Sequence, residues 1–155
     1  MEKNEPKRQS LSAQKNNEYD YSVFQYWNGR ISPQKLNNIV DEIITNCGFY
    51  KKKFDILDEF QADFTTKISN HFRNELLENS RKELNDSLKT FCFYLVSEKF
   101  NRSNENYWTI NDKYTKHDST IKLKIIDDVR RLGNDVMDKN KKYYESLQSV
   151  FGYLG

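Results

Sequence analysis

"ILDEFQADFTTKISNHFRNELL", Ile56 to Leu77, is the stretch whose reading decides the fold class. Counted from Phe54, the large apolar residues fall at Leu57, Phe60, Phe64, Ile68, Phe72 and Leu76, in steps of 3, 3, 4, 4, 4 and 4. Those steps keep one apolar face on a helix of about 3.6 residues per turn, with a slow drift around it. No Gly or Pro interrupts the run. The spacing predicts one long helix with a ring-lined face. Its other face carries Asp55, Asp58, Glu59, Asp63, Glu75 and Glu78 against Lys67 and Arg73, and is acidic.

The flanking segments carry the punctuation of further helices. Upstream, Ser32 is a good N-cap and Pro33 suits the first helical position. Leu36, Ile39, Val40, Ile43, Ile44 and Cys47 then repeat at three and four, and Gly48 is placed to stop the helix as a C′ glycine. Downstream, Ser80 and Glu83 in "SRKEL" have capping-box spacing. They predict a new helix with Leu84, Leu88, Phe91 and Leu95 on its inner face. A short helix, a central helix of nearly thirty residues and a third helix entered through "RKEL" resemble the layout of a histone fold over Ser32 to about Phe100. The likeness is one of helix lengths and of "RKEL". The central stretch is richer in Phe and poorer in Ala than that fold would lead one to expect.

The two ends differ in character. Residues 1–18 are polar and mixed in charge, so they are expected to form a flexible tail ahead of a single helical domain over 19–155. "YDYSVFQYW" then brings Tyr19, Tyr21, Phe24, Tyr26 and Trp27 into nine residues, followed by a turn signal at Asn28 and Gly29. Two readings fit: a short strand through Tyr19, Tyr21 and Val23 that packs on its own domain, or an anchor for a partner. Near the other end, "YWTI" and the alternating "TIKLKI" favour a small β-hairpin over 106–126, against a last helix that starts as early as Ser119. From Asp127 to Phe151 the spacing again predicts a helix, with Val129, Leu132, Val136, Tyr143, Leu147, Val150 and, just beyond it, Leu154 in one stripe that Lys139 and Asn140 interrupt. The fold class expected is therefore mainly α, a bundle of about four helices. Its opposing layers are Leu36, Ile43, Leu88, Leu95, Val129 and Val136.

Function is far less legible. At 155 residues and a net charge of +2, neither a nucleic acid nor an anionic membrane is demanded as partner. No apolar run approaches the ~18 residues that span a bilayer, and the N-terminus lacks the apolar core of a signal peptide, so an intracellular protein without membrane attachment is expected. Cys47 and Cys92 lie far apart and read as free thiols. No phosphate loop, nucleophile elbow or Cys–His motif is present, and His71 and His117 are the only histidines. A small enzyme built around His117 and Asp118 ranks last. No catalytic residue, cofactor or metal is assigned.

The leading expectation is a non-enzymatic assembly or adaptor subunit that binds another protein or a second copy of itself. Its contact residues would be Tyr21, Phe24, Tyr26 and Trp27. The alternative is a nucleic-acid-binding module. Lys51, Lys52 and Lys53 in "YKKKF", with Lys141 and Lys142 in "KNKKYY", place ammonium groups beside aromatic rings.

Overall fold

The structure, a computed structural model, describes residues 4–101, 106–116 and 119–152, with side chains described from residue 15 onward except 101 and 119. It is a helical bundle capped by a small antiparallel sheet. The elements in order are α1 (Asn4–Arg30), α2 (Pro33–Asn46), β1 (Gly48–Tyr50), α3 (Lys51–Thr66), α4 (Glu75–Leu95), β2 (Phe100–Asn101), β3 (Tyr107–Ile110), α5 (Asp112–Thr115) and α6 (Ser119–Phe151).

The centre of the bundle is the antiparallel pair α4 and α6. Leu76 and Glu83 lie beside Lys142 and Ser149, and at the far end the Tyr94 hydroxyl donates to Asp128. Leu84, Leu88, Phe91 and Leu95 of α4 meet Val129, Val136 and Leu147 of α6, and all are buried. All six residues named as opposing layers from the sequence lie in this core. Helix α2 lies antiparallel on α6. Asn140, which breaks the apolar stripe of α6, is buried and donates through Nδ2 to Pro33 O at 2.8 Å and Asn37 Oδ1 at 2.9 Å. At the other end of the same contact, a Cβ on Gly133 would overlap Ile44 of α2. The glycine that costs α6 some helix propensity is what lets the two helices approach there.

Helix α2 begins as the sequence dictates. Ser32 caps it by accepting from Lys35 N at 3.1 Å, with Pro33 at the first position. Its end is different. Cys47, not Gly48, takes the left-handed conformation, at φ 46°. Gly48 opens β1, where a Cβ would lie 2.8 Å from Tyr107 Oη and 3.0 Å from Trp108 O. Its missing side chain admits the neighbouring strand.

The long helix expected over 54–76 is broken. Helix α3 stops at Thr66, a 3₁₀ turn follows over Ile68–Asn70, and α4 starts afresh with Asn74 as N-cap, its Oδ1 accepting from Leu77 N at 3.1 Å. Two local effects weaken the junction. The hydroxyls of Thr65 and Thr66 bond back to the carbonyls of Gln61 and Ala62, a habit that bends helices. Asn at 70 and 74 favours turns and caps. The larger cause is α1. Asp20 accepts from Arg73 N at 2.6 Å and Asn74 N at 2.9 Å, Trp27 Nε1 donates to Asn70 O at 2.8 Å, and Tyr19 Oη donates to Ser69 O at 2.7 Å. These bonds replace those a continuous helix would have made. Phe72 stays buried, whereas Ile68 and Leu76 leave the stripe for the surface. Ser80 lies within α4, bonded to Leu77 O, so "SRKEL" is helix interior and not a cap. The histone-like layout goes with it, because the central element is two helices of 16 and 21 residues.

The aromatic N-terminal segment is helix, not strand. Helix α1 runs through Asn28 and Gly29 to Arg30 and also takes in part of the stretch set apart as a tail. Val23, Phe24 and Trp27 recur at helical spacing on its buried side, and Ile31, just past its end, is buried with them. "YWTI" is a strand, but its partners are β1 and β2, in the order β1-β3-β2, with Phe49 opposite Trp108 and Phe100 opposite Ile110. The alternating "TIKLKI" belongs to α6, where Ile125 is buried while Ile121 and Leu123 are exposed. Rings fill the inner face of the sheet: Phe49 lies 5.4 Å from Phe54, 5.5 Å from Phe100 and 5.4 Å from Trp108.

Candidate functional site

The four aromatic residues singled out in α1 have separate fates. Trp27 is a core residue with 1% exposure, edge-on to Phe60 at 5.8 Å and Phe64 at 4.9 Å. It offers a partner no surface. Tyr26 is half-buried, and its hydroxyl accepts from Lys67 Nζ at 2.8 Å and Arg30 Nη1 at 3.2 Å, while Arg30 also bridges to Asp63. The hydrogen bond from Lys67 lowers the Tyr26 pKa, and that from Arg30 lowers the Asp63 carboxyl. Phe24 is buried at the rim. Tyr21 alone stands out, with 42% exposure. Its ring lies 5.9 Å from Phe24 and is edge-on to Phe151 of α6 at 5.4 Å, and Phe24 and Phe151 are 6.0 Å apart. These three rings form one aromatic face at the end of the molecule where α4 begins.

The lysine runs sit at opposite ends. Lys141 shares a hollow with Pro33, Gln34 and Asn37 at the start of α2, whereas Lys53 pairs with Glu42 and lies beside Asn46 near the end of α2. At about 1.5 Å per helical residue, roughly 15 Å of α2 separates them. They do not form one patch. Lys51, Lys52 and Lys53 occupy the first turn of α3 and line a hollow of about 930 Å³ with Tyr50, Asp55, Asn106 and Trp108. Tyr50 is 54% exposed there and edge-on to Tyr107 at 4.8 Å. Lys51 reaches Asp55 at 3.3 Å and Lys53 pairs with Glu42, while Lys52 has no ion pair among the described residues. The sequence pointed to the lysines. That β3 would fold back over them was not visible, because the pairing of "GFY" with "YWTI" spans some sixty residues of chain.

His71 belongs to a half-buried charged cluster under the α3–α4 connection. Glu78 holds Arg81 through Nε at 2.7 Å and Nη2 at 2.8 Å and accepts from Phe72 N at 3.1 Å. Arg81 is buried, donates to Phe64 O and lies over the Phe64 ring. His71 Nδ1 is 3.6 Å from Glu78, and its Nε2 is buried without a hydrogen-bond partner among the described residues. Burial, followed by the Arg81 charge, lowers the His71 pKa, with Lys82 acting in the same direction and Glu78 opposing. The folded protein therefore prefers the neutral imidazole more than the unfolded chain does. Its contribution to stability is complete above the unfolded pKa of about 6.5 and is lost as the pH falls toward the folded value. Urea unfolding at pH 7.5 and 5.5 should show lower stability at the acid pH, and His71→Leu should shrink the difference. An equal difference in the variant would place the effect elsewhere.

His117, Asp118 and Leu154 lie outside the described residues. Among the described residues no group of three or more His, Cys, Asp or Glu could hold a metal ion, and no helix is long and apolar enough to cross a membrane. Burial raises the thiol pKa of both cysteines, to about 12 for Cys92. Neither is an activated nucleophile. Comparison with protein-family models, with curated proteins and with solved structures finds no match for this chain.

Proposed function

We propose that this protein is a non-enzymatic assembly subunit that binds another protein, or a second copy of itself, through the aromatic face centred on Tyr21. The observation that carries the reading is the Tyr21–Phe24–Phe151 cluster, in which a large exposed ring rests edge-on against a second helix. Rings held in place in the free protein lose little freedom on binding, which is why Tyr serves so often as an interface anchor. Leu76, also exposed, sits at the same end of the bundle, where α4 starts.

The test is a Tyr21→Ser, Phe151→Ser double variant. Sedimentation velocity reads self-association, and co-purification followed by titration reads any partner. The expected result is an unchanged far-UV circular dichroism spectrum and an association weakened about thirtyfold or more, the loss of one strong interface anchor. A variant that keeps every association of the wild type would remove this surface from consideration.

A further inference from the structure

We infer that the hollow formed by Tyr50, Lys51, Lys52, Lys53, Asp55, Asn106 and Trp108 is a binding site for single-stranded nucleic acid. It is independent of the Tyr21 face. Tyr21 is on α1 beside the start of α4, because Asp20 binds Arg73 N and Asn74 N there, whereas the hollow is at the sheet, beyond the end of α4. Helix α4 has 21 residues, so roughly 30 Å separates the two surfaces.

Three observations combine. The hollow, at about 930 Å³, is large enough to take a nucleotide and parts of its neighbours. Its wall carries three consecutive ammonium groups, and the first turn of α3 contains no acid. Such a cluster is unfavourable in the free protein, since like charges repel and the positive end of the helix adds to them. Asp55 and Glu42 answer for Lys51 and Lys53, leaving Lys52 without an ion pair among the described residues. A phosphate at Lys52 would supply the missing counter-charge. The third observation is Tyr50, whose exposed ring meets Tyr107 in a T-shaped contact at 4.8 Å and lines the hollow with the lysines. An unpaired base can stack on that ring while its phosphate meets the lysines. In a duplex the base faces are already stacked and cannot use it. An acidic peptide would satisfy the lysines and leave the ring without its proper counterpart.

The experiment is fluorescence anisotropy of labelled oligothymidylate and oligouridylate titrated with the full chain over a range of salt. The expected log–log salt slope is about −0.7, for the one phosphate neutralised by Lys52 on a single strand, since Lys51 and Lys53 already face Asp55 and Glu42. Lys52→Glu and Tyr50→Ala should each weaken binding about tenfold. Both residues are exposed, so the fold should survive, and circular dichroism checks this. Lys141→Glu with Lys142→Glu, at the other end of α2, should leave the affinity unchanged. The inference is overturned by an absence of binding at low salt. It is equally overturned if the Lys141, Lys142 variant weakens binding as much as Lys52→Glu, which would mean diffuse charge attraction. Tighter binding of a duplex of equal charge, or displacement by polyglutamate at equal charge concentration, would also overturn it.

Discussion

Trp27→Ala should lower the free energy of unfolding by about 3–5 kcal/mol, the range for truncating a large buried aromatic side chain. The indole is the largest fully buried side chain of the core, packed edge-on against Phe60 and Phe64, which touch one another at 4.9 Å. Alanine would leave a cavity among three helices that rigid rings cannot collapse to fill. It would also remove the N–H that Asn70 O accepts, leaving that carbonyl unpaired beside the cavity. Urea unfolding followed by far-UV circular dichroism reads the loss. Trp27→Phe separates the two effects, since it restores most of the ring volume but not the donor, and it should recover more than half of the stability. If Trp27→Ala were instead as stable as the wild type but failed to associate, the indole would be a partner anchor after all and its burial in the free protein would be wrong.

Asp20→Ala should be almost as damaging, at about 2–4 kcal/mol. The carboxylate is fully buried, and its two oxygens serve two consecutive backbone N–H groups, those of Arg73 and Asn74, where the chain turns into α4. Removing it strands both donors in a partly buried site, at about 1–2 kcal/mol each. The negative charge also sits at the positive end of α4 and is lost with it. Asp20→Asn is the informative companion. An amide has one acceptor oxygen, and its NH₂ would face the second N–H, so the isosteric change should recover less than half of the loss. An Asn variant as stable as the wild type would show that volume, and not acceptor geometry, is what the site requires.

Both residues mark the limit of what the sequence could tell. Local chemistry was legible: Ser32 and Pro33 start α2, periodicity marks the layers from Leu36 to Val136, and β-branched and aromatic residues make "YWTI" a strand. Features set by distant partners were not. The apolar steps from Phe54 to Leu76 fit a continuous helix. The break at Lys67 is imposed by Tyr19, Asp20 and Trp27, whose hydrogen-bond partners lie 43 to 54 residues away. Gly133 looks like a weak point until Ile44 is seen against it, and Asn140 looks like an interruption until it meets Pro33 and Asn37. For the candidate sites the same division holds. The lysine run and Tyr21 could be picked out one by one. The sheet strand that walls in the lysines and the Phe151 ring that backs Tyr21 are products of tertiary folding.

The fastening of the α3–α4 connection by α1 has a dynamic consequence. The amides of Arg73 and Asn74 are sheltered by a carboxylate on another helix, not by the ladder of their own. Lifting α1 away would break both bonds, which couples opening of the N-terminal helix to exchange at these two amides. Whatever holds α1 down, a bound partner at Tyr21 included, therefore slows exchange at a turn some fifty residues further along the chain.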